Sequence, residues 1–445
     1  MFKKVCVLVL CTVLLAIPLA GCGNGGSAET AETGGGVQNS KVINNEPLTL
    51  KVYQHGLAVT DGDFENFFVT PVKKKFPNIT LELVRTGDGT SPEELVAADT
   101  FPDIIFAAVP VFKDLNKLGI LADLNDLVKS NKVNLSKFDP AAVETIKLYG
   151  DNGKLYALPF ARAFGALFYN KDIFDKFGVA YPKDGMDWEQ TAELARKVAR
   201  IDNNTQYRGL EPTDGMRKLG AGLSLQFIDP KTEQATLNND GWKRVLKQIQ
   251  DIYNIGNNRP PKEEFAKTRA NFVQRKNVAM ITDWANGISG ELEKVQLQGQ
   301  GLNWDLVTLP NFKEKVGIGF NADVQCLLLS AKTKHREQAF AVIDYLTSEE
   351  PQVSINRAGR PAAINSPEME KTYAANLESF KGKNISGIFK NKSAKLNTPT
   401  DYDQLVAKFM TEATSRVGLN NEDINTVLRE IEEKVNAAIS AEKTK

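Results

Sequence analysis

The chain has 445 residues, in which 55 Lys and Arg are balanced by 55 Asp and Glu. Its hydrophobic share of 42% and charged share of 25% belong to folded proteins with a substantial core, and the length allows two or three domains. The neutral balance gives no electrostatic case for nucleic acid or for an anionic lipid surface as a partner.

Lys3 and Lys4 open the chain, and a mostly apolar run, Val5 to Ala20, follows. Sixteen residues fall short of the roughly 20 that a membrane-spanning helix needs. A charged start, a short apolar core and small residues before a cleavage point make an export signal. Leu19-Ala20-Gly21-Cys22 resembles a bacterial lipobox, in which the thiol of Cys22 receives a diacylglyceryl group before cleavage. An ordinary signal peptide that happens to contain Cys22 is the alternative. The expectation is a signal peptide over 1–21 and a protein held by the Cys22 lipid on the extracellular face of the bacterial cytoplasmic membrane. Removing Lys3 and Lys4 leaves 53 basic against 55 acidic residues. Residues 22–45, rich in Gly, Ser, Thr, Glu and Asn, read as a flexible tether. Cys6 and Cys11 leave with the signal, so Cys326 has no disulfide partner; its apolar run, Val324 to Leu329, predicts a buried thiol.

Leu48, Leu50 and Val52 alternate with polar neighbours, the period of a strand. An amphipathic stretch, Phe64 to Phe76, predicts a helix, and Ile79 to Val84 and Ile104 to Val109 predict further strands. Gly153 predicts a turn into a strand, Lys154 to Leu158, which Pro159 interrupts where the chain crosses between lobes. Asp172 reads as a cap ahead of Ile173, Phe174 and Phe177. Asp187 and Gln190 predict a capping box before Trp188, Thr191, Ala195 and Val198. Asp240 precedes the stripe Trp242, Val245, Leu246, Ile249, Ile252 and Tyr253, which Gly256 is expected to close. Ala339, Phe340, Ile343 and Leu346 mark another helix, and Ile424 to Ile439 the last. Strands separated by helices of this length predict an α/β fold.

Catalytic motifs are missing. The two histidines, His55 and His335, are far apart, and HExxH, CxxC, the P-loop and GxSxG do not occur. No metal site or cofactor is expected. A glycosidase needs only two carboxylates, which composition leaves open.

The order of motifs is more specific. Gly153 to Phe160 runs into Leu167-Phe168-Tyr169-Asn170-Lys171-Asp172 and then Asp187-Trp188-Glu189. Phe76-Pro77-Asn78-Ile79, Pro102-Asp103-Ile104-Ile105, Asn277-Val278-Ala279-Met280, Leu309-Pro310 and Ala358-Gly359-Arg360-Pro361-Ala362 complete the series. Over roughly residues 46–440 the chain resembles family 1 extracellular solute-binding proteins, the carbohydrate receptors of ABC importers related to maltose-binding protein. The resemblance implies a two-lobed periplasmic-binding-protein fold of type II. The lobes would be 46–161 plus 312–360 and 162–311 plus 361–445, joined by a hinge that closes on a ligand. It implies a non-enzymatic, monomeric protein that captures a saccharide and delivers it to permease subunits. A receptor for a non-sugar solute (a polyol, phosphodiester or opine) and a secreted glycoside-active enzyme are the alternatives.

A sugar site needs an aromatic surface and fixed polar groups. Trp188 and Trp242 lie on helix stripes, and Trp304 alternates with polar neighbours in a strand. Trp284 instead follows the strand Val278 to Ile281, at a strand's carboxyl end, where α/β folds place ligands. It is the expected platform, and it matches a stacking tryptophan in the resemblance. Gln54 and His55 end the first strand. Arg162 stands in an apolar stretch at the first expected crossing, with Asp323 and Arg360 near the others. The resemblance departs from the maltose receptors at Ala107 to Val111 and at Ala163, where sugar contacts are lost. With Arg162 and His55 present, an acidic saccharide becomes the expected variation.

Overall fold

The computed structural model describes residues 46–444; Cys22, the signal 1–21 and the tether 22–45 lie outside the described residues. In chain order the strands are β1 (Leu48–His55), β2 (Ile79–Arg85), β3 (Ile104–Ala108), β4 (Ala157–Ala163), β5 (Gly165–Asn170), β6 (Arg200–Asp202), β7 (Thr205–Tyr207), β8 (Glu211–Pro212), β9 (Met280–Trp284), β10 (Trp304–Thr308), β11 (Ile318–Asn321), β12 (Asp323–Leu329) and β13 (Lys392–Ala394). Two sheets organise them. The first has the order β2-β1-β3-β12-β4, with β1 parallel to β2 and β3, and β12 antiparallel between β3 and β4. The second has the order β10-β5-β9-β8, with only β8 and β9 parallel.

Each sheet has its own core, which makes the molecule two-lobed. The first core joins residues of β1, β3 and β12 with Phe64, Phe67, Phe68 and Val72 from the segment 61–75. Phe68 stacks on Phe160 at 5.0 Å between ring centroids and meets Phe106 edge-on at 5.1 Å. The helical segment widens to a π-turn, Glu65–Val69, immediately before Pro71. Pro71 has no N–H to donate and crowds the preceding turn, and a wider turn relieves both. The second half holds two clusters. One gathers Trp188 and Trp242 with Val427, Leu428, Ile431, Val435 and Ile439 of the last helix, Ile424–Lys443; the other is built around Phe168 and Trp304.

Most predicted elements are present, with shifts at their ends. Asp187 and Gln190 form the expected reciprocal box, which satisfies two backbone donors that a helix start leaves free. Asn239, not Asp240, caps the helix Asp240–Tyr253 by accepting from the Trp242 N–H at 3.1 Å. Its end is Asn254 in ordinary right-handed geometry, so Gly256 does not close it. Asn170 replaces Asp172 as the cap of Lys171–Phe177, and Asp172 instead accepts from Asn303 Nδ2 at 2.7 Å. The strand expected over Lys154 to Leu158 runs later, Ala157–Ala163, and Pro159 lies within it opposite Cys326, beside a register shift. Pro159 therefore bends a paired strand and marks no crossing. Cys326 is fully buried, as expected.

The chain passes directly from the first sheet to the second through Phe164, between β4 and β5. It returns at Asp323, the start of β12. Residues 312–321 still pack with the second half, since Phe312 belongs to its core and β11 pairs with β13. Ala362 bridges Ala161 and Ile364 bridges Phe138, so 361–364 stay with the first half, and Tyr373 lies in the second.

Candidate functional site

Strand register places the two sheets edge to edge. In the first sheet His55 is level with Ala107, Ala108 faces Gln325, and Asp323 faces Ala163. The carboxyl ends of β1, β3 and β4 therefore share one edge with the start of β12. In the second sheet Gly165 faces Trp284, Ala166 faces Thr308, and Pro212 is level with Thr282. The ends of β8, β9 and β10 share an edge with the start of β5. Phe164 joins the two edges, and the cleft that the resemblance implies would lie between them. On its flank, Lys117 Nζ donates to the Asp401 carbonyl at 3.0 Å and lies 5.2 Å from the Tyr402 ring centroid. Gln404 Nε2 donates to the Pro110 carbonyl at 2.9 Å.

Trp284 is the last residue of β9 and is partly exposed, whereas Trp188, Trp242 and Trp304 are at most 2% exposed. Its indole meets Phe320 edge-on at 4.8 Å. Lys218, from the helix Gly215–Gly222, is buried with its ammonium 5.6 Å from the Trp284 ring and 5.4 Å from that of Phe320. Cation–π attraction of this kind reinforces an ordinary ion pair. The pair is made with Asp283, which has no exposed surface. Its carboxylate accepts from Lys218 Nζ at 3.2 Å, Arg269 Nε at 2.5 Å, Arg269 Nη2 at 3.1 Å and the Trp284 N–H at 2.8 Å. Burial pushes this carboxyl up, and Lys218 and Arg269 together more than offset it, holding Asp283 below the usual carboxylate range. Trp284 is thus held beside a charged triad. Gly165 allows the approach, since a Cβ there would meet Phe320 at 2.5 Å.

Several strand ends on these edges carry buried polar atoms without partners. Thr213 Oγ1, Thr282 Oγ1, Asn286 Oδ1 and Asp323 Oδ1 are buried and make no hydrogen bond among the described residues. Thr213 follows β8, Thr282 and Asn286 flank Trp284, and Asp323 opens β12. Burial raises the Asp323 carboxyl, while Arg217 and Lys218 pull it down less strongly. Buried polar groups are ordinarily satisfied, so these four atoms stand open to water or to a polar ligand; Arg259 Nε and Asn277 Oδ1 are likewise unpaired elsewhere among the described residues.

The other expected contacts are tied into the protein. His55 Nδ1 is 3.0 Å from Thr86 Oγ1 and its ring stacks on Tyr53; burial lowers its pKa, with Glu93 opposing. Gln54 donates to the Leu57 carbonyl and accepts from Arg85 Nη1 at 3.2 Å. Arg162 is 8% exposed; its Nε donates to the Ala362 carbonyl at 2.8 Å and its Nη1 pairs with Asp139 at 2.7 Å. It braces β4 against the returning chain, and an acidic saccharide cannot be argued from it. Arg360 pairs with Asp63 at 3.5 Å, bonds Gln325 Oε1 and lies over Phe67, all within the first half. Trp284 and Asp323 are the two expected residues that the structure brings near Lys218, Trp284 through its ring and Asp323 through charge alone.

Lys218, Asp283, Phe320 and Thr213 were not singled out in the sequence. Asp283 carried a signal, as a carboxylate closing the apolar run Val278-Ala279-Met280-Ile281-Thr282. Lys218 carried none, because its partner is 65 residues away. No group of His, Cys, Asp or Glu able to hold a metal ion occurs among the described residues.

Residues 61–353 match the bacterial extracellular solute-binding protein family. The chain belongs to this family. Its arabinooligosaccharide-binding relative from Bacillus subtilis (strain 168) is 29% identical over 264 residues, 56% of this chain and 54% of that protein. The chain thus matches about half the length of that curated relative. Among solved structures, an ABC substrate-binding protein from Listeria monocytogenes in complex with cycloalternan superposes with a TM-score of 0.73 at 16% identity. It covers 89% of this chain and 100% of that one. A sugar transporter from Rhizobium etli, in an open conformation, gives 0.70 at 21% identity, covering 88% and 99%. The two-lobed α/β fold of this family member is the fold of those proteins.

Proposed function

We propose that the chain is the saccharide-capturing subunit of an ABC importer, binding an oligosaccharide between its lobes on the Trp284 platform. The observation that carries this is the partly exposed indole, held by Phe320, Lys218 and Asp283 beside four buried polar atoms without partners. An aromatic face for the ring and unspent polar groups for hydroxyls are what a sugar requires. The names of the relatives, an arabinooligosaccharide-binding protein and a cycloalternan complex, support the class. The lobes follow the packing, roughly 46–163 with 323–364 and 165–322 with 365–444, with a hinge at the three passages between sheets. Lobe closure would present the shape that the permease reads, without catalysis. The Cys22 lipid would keep the monomer beside that permease at the extracellular face.

The test is thermal unfolding with a panel of oligosaccharides. At 100 times its dissociation constant a ligand adds about 2.7 kcal/mol of stability. Stabilisation by a sugar that is recovered intact supports the receptor; consumption of the sugar means an enzyme, and no stabilisation by any sugar ends the saccharide reading.

A further inference from the structure

Beside the cleft lies a second concavity, of about 810 Å³, between the segment 266–274 and the helix Ala285–Leu297. Its volume is in the range of small-molecule sites, roughly 300–1,000 Å³. Thr213, Lys267, Arg269, Glu291, Lys294 and Gln298 supply its polar lining, over Ala270, Val273 and Val295. The end nearest the cleft is joined to the platform through one residue. Arg269 spends Nε and Nη2 on Asp283, which also holds Lys218 and the backbone of Trp284. Arg269 lies over the first turn of the helix after Trp284, where Gly287 makes room; a Cβ there would come within 2.2 Å of Nη2.

Several observations mark this concavity as a site. Arg269 Nη1 makes no hydrogen bond among the described residues. The buried hydroxyl of Thr213 has no partner either. The wall is irregular but held. Ala266 adopts φ of 60°, a left-handed conformation that a side chain disfavours, and the next turn, Ala270–Gln274, is π-helical. Thr268 and Asn271 tie that wall to buried Glu211 at 3.0 and 3.3 Å, and Arg208 pins Glu211 at 2.9 Å and Glu264 at 3.0 Å. The wall is therefore fixed in a strained shape by a buried polar network. Charge points to the occupant. Of the lining charges, Lys267, Lys294 and Arg269 stand against Glu291, with Asp283 behind Arg269, an excess of one cation in a protein whose overall charge is balanced.

We propose that this concavity is a subsite for a carboxylate-bearing sugar unit, so that the preferred ligand is an oligosaccharide spanning from the Trp284 platform to a uronate held by Arg269, Lys267 and Lys294. The inference rests on the cleft being a saccharide site. Guanidinium and ammonium groups favour a carboxylate, and the Thr213 hydroxyl and Gln298 amide suit its neighbouring hydroxyls. Because both lysines are exposed, their contribution is screened by salt.

The test is calorimetric titration of the full chain with malto-, xylo- and arabino-oligosaccharides of three to five units, each paired with the same chain ending in a glucuronate. At low ionic strength, about 20 mM, the uronate member of the bound pair is expected to bind roughly tenfold more tightly, and the gap to shrink at about 150 mM. Lys267→Glu with Lys294→Glu, both surface changes, should abolish that gap. A neutral sugar that binds without any uronate preference overturns the subsite while leaving the cleft intact. A preference that survives the double variant also overturns it. If no member of either series binds, the saccharide reading itself has failed, and the subsite with it.

Discussion

Substituting Asp283→Asn isolates the charge that organises the platform. The amide keeps the shape of a side chain with no exposed surface but removes the counter-ion of Lys218, which is only 5% exposed. Arg269 is 36% exposed and can turn to solvent, so the cost falls mainly on Lys218. A buried charge stripped of its partner costs about 3–5 kcal/mol. A ceiling comes from the lysine's other option, losing its proton. From the ordinary value of 10.5 down to pH 7 is 3.5 units, and at about 1.36 kcal/mol each this limits the cost to about 4.8 kcal/mol. With a urea slope of about 3 kcal/mol/M, the midpoint should fall by about 1–1.6 M, and by less in proportion if the slope is steeper. Lys218→Met should cost less, about 1–3 kcal/mol, because Asp283 keeps Arg269 and the Trp284 N–H. Adding it to Asp283→Asn should restore part of the loss, as expected of coupled neighbours. If Lys218 is neutral in Asp283→Asn, the unfolded chain binds one more proton than the native one. Stability then rises by about 1.4 kcal/mol per pH unit above neutrality. The assay is urea unfolding of the wild type and three variants at pH 7 and 9. A cost below about 1 kcal/mol for Asp283→Asn, or additivity in the double variant, refutes the triad as the support of Trp284.

Asp323 titrates in the opposite sense. Burial raises its folded pKa above the ordinary value, so the stability tied to its protonated form is complete below that value and lost as pH rises through the folded one. Asp323→Asn should match the wild type in melting temperature near pH 3 and exceed it at pH 7; a less stable variant at pH 7 contradicts burial as the dominant influence on this carboxyl. Gly165→Ala places a methyl 2.5 Å from Phe320 and 3.1 Å from Leu309, which should cost about 1–3 kcal/mol and weaken saccharide binding together, read by melting and titration. Cys22→Ser should release the exported protein from cells into the medium; retention at the membrane in fractionation excludes lipid anchoring through that thiol.

Local chemistry made much of the fold readable. The alternation at Leu48 to Val52, the box at Asp187 and Gln190, and the stripe from Trp242 to Tyr253 each announce an element through neighbours a few positions away. Ends were less readable where two residues could do one task, as with Asn170 and Asp172, or Asn239 and Asp240; the cap went to the residue whose backbone left the helix. Trp284 stood out for a negative reason, since three tryptophans had a stripe or strand to fill and it had none. Arg162 misled because its partners, Asp139 and the Ala362 carbonyl, lie 23 and 200 positions away, beyond any local pattern. Lys218 and Asp283 were hidden for the same reason. A lone charge in an apolar stretch announces a partner, and only the fold says whether that partner is protein or ligand.

The central claim, that Trp284 is the surface on which a saccharide lies, is tested most directly by tryptophan fluorescence during titration with the neutral oligosaccharides. Because Trp188, Trp242 and Trp304 are at most 2% exposed, a ligand-dependent change reports on Trp284. A saturable change in intensity or emission maximum, absent in Trp284→Phe, is the predicted result. Saturable binding by calorimetry with unaltered fluorescence, or a full signal in Trp284→Phe, would place the sugar elsewhere and contradict the account.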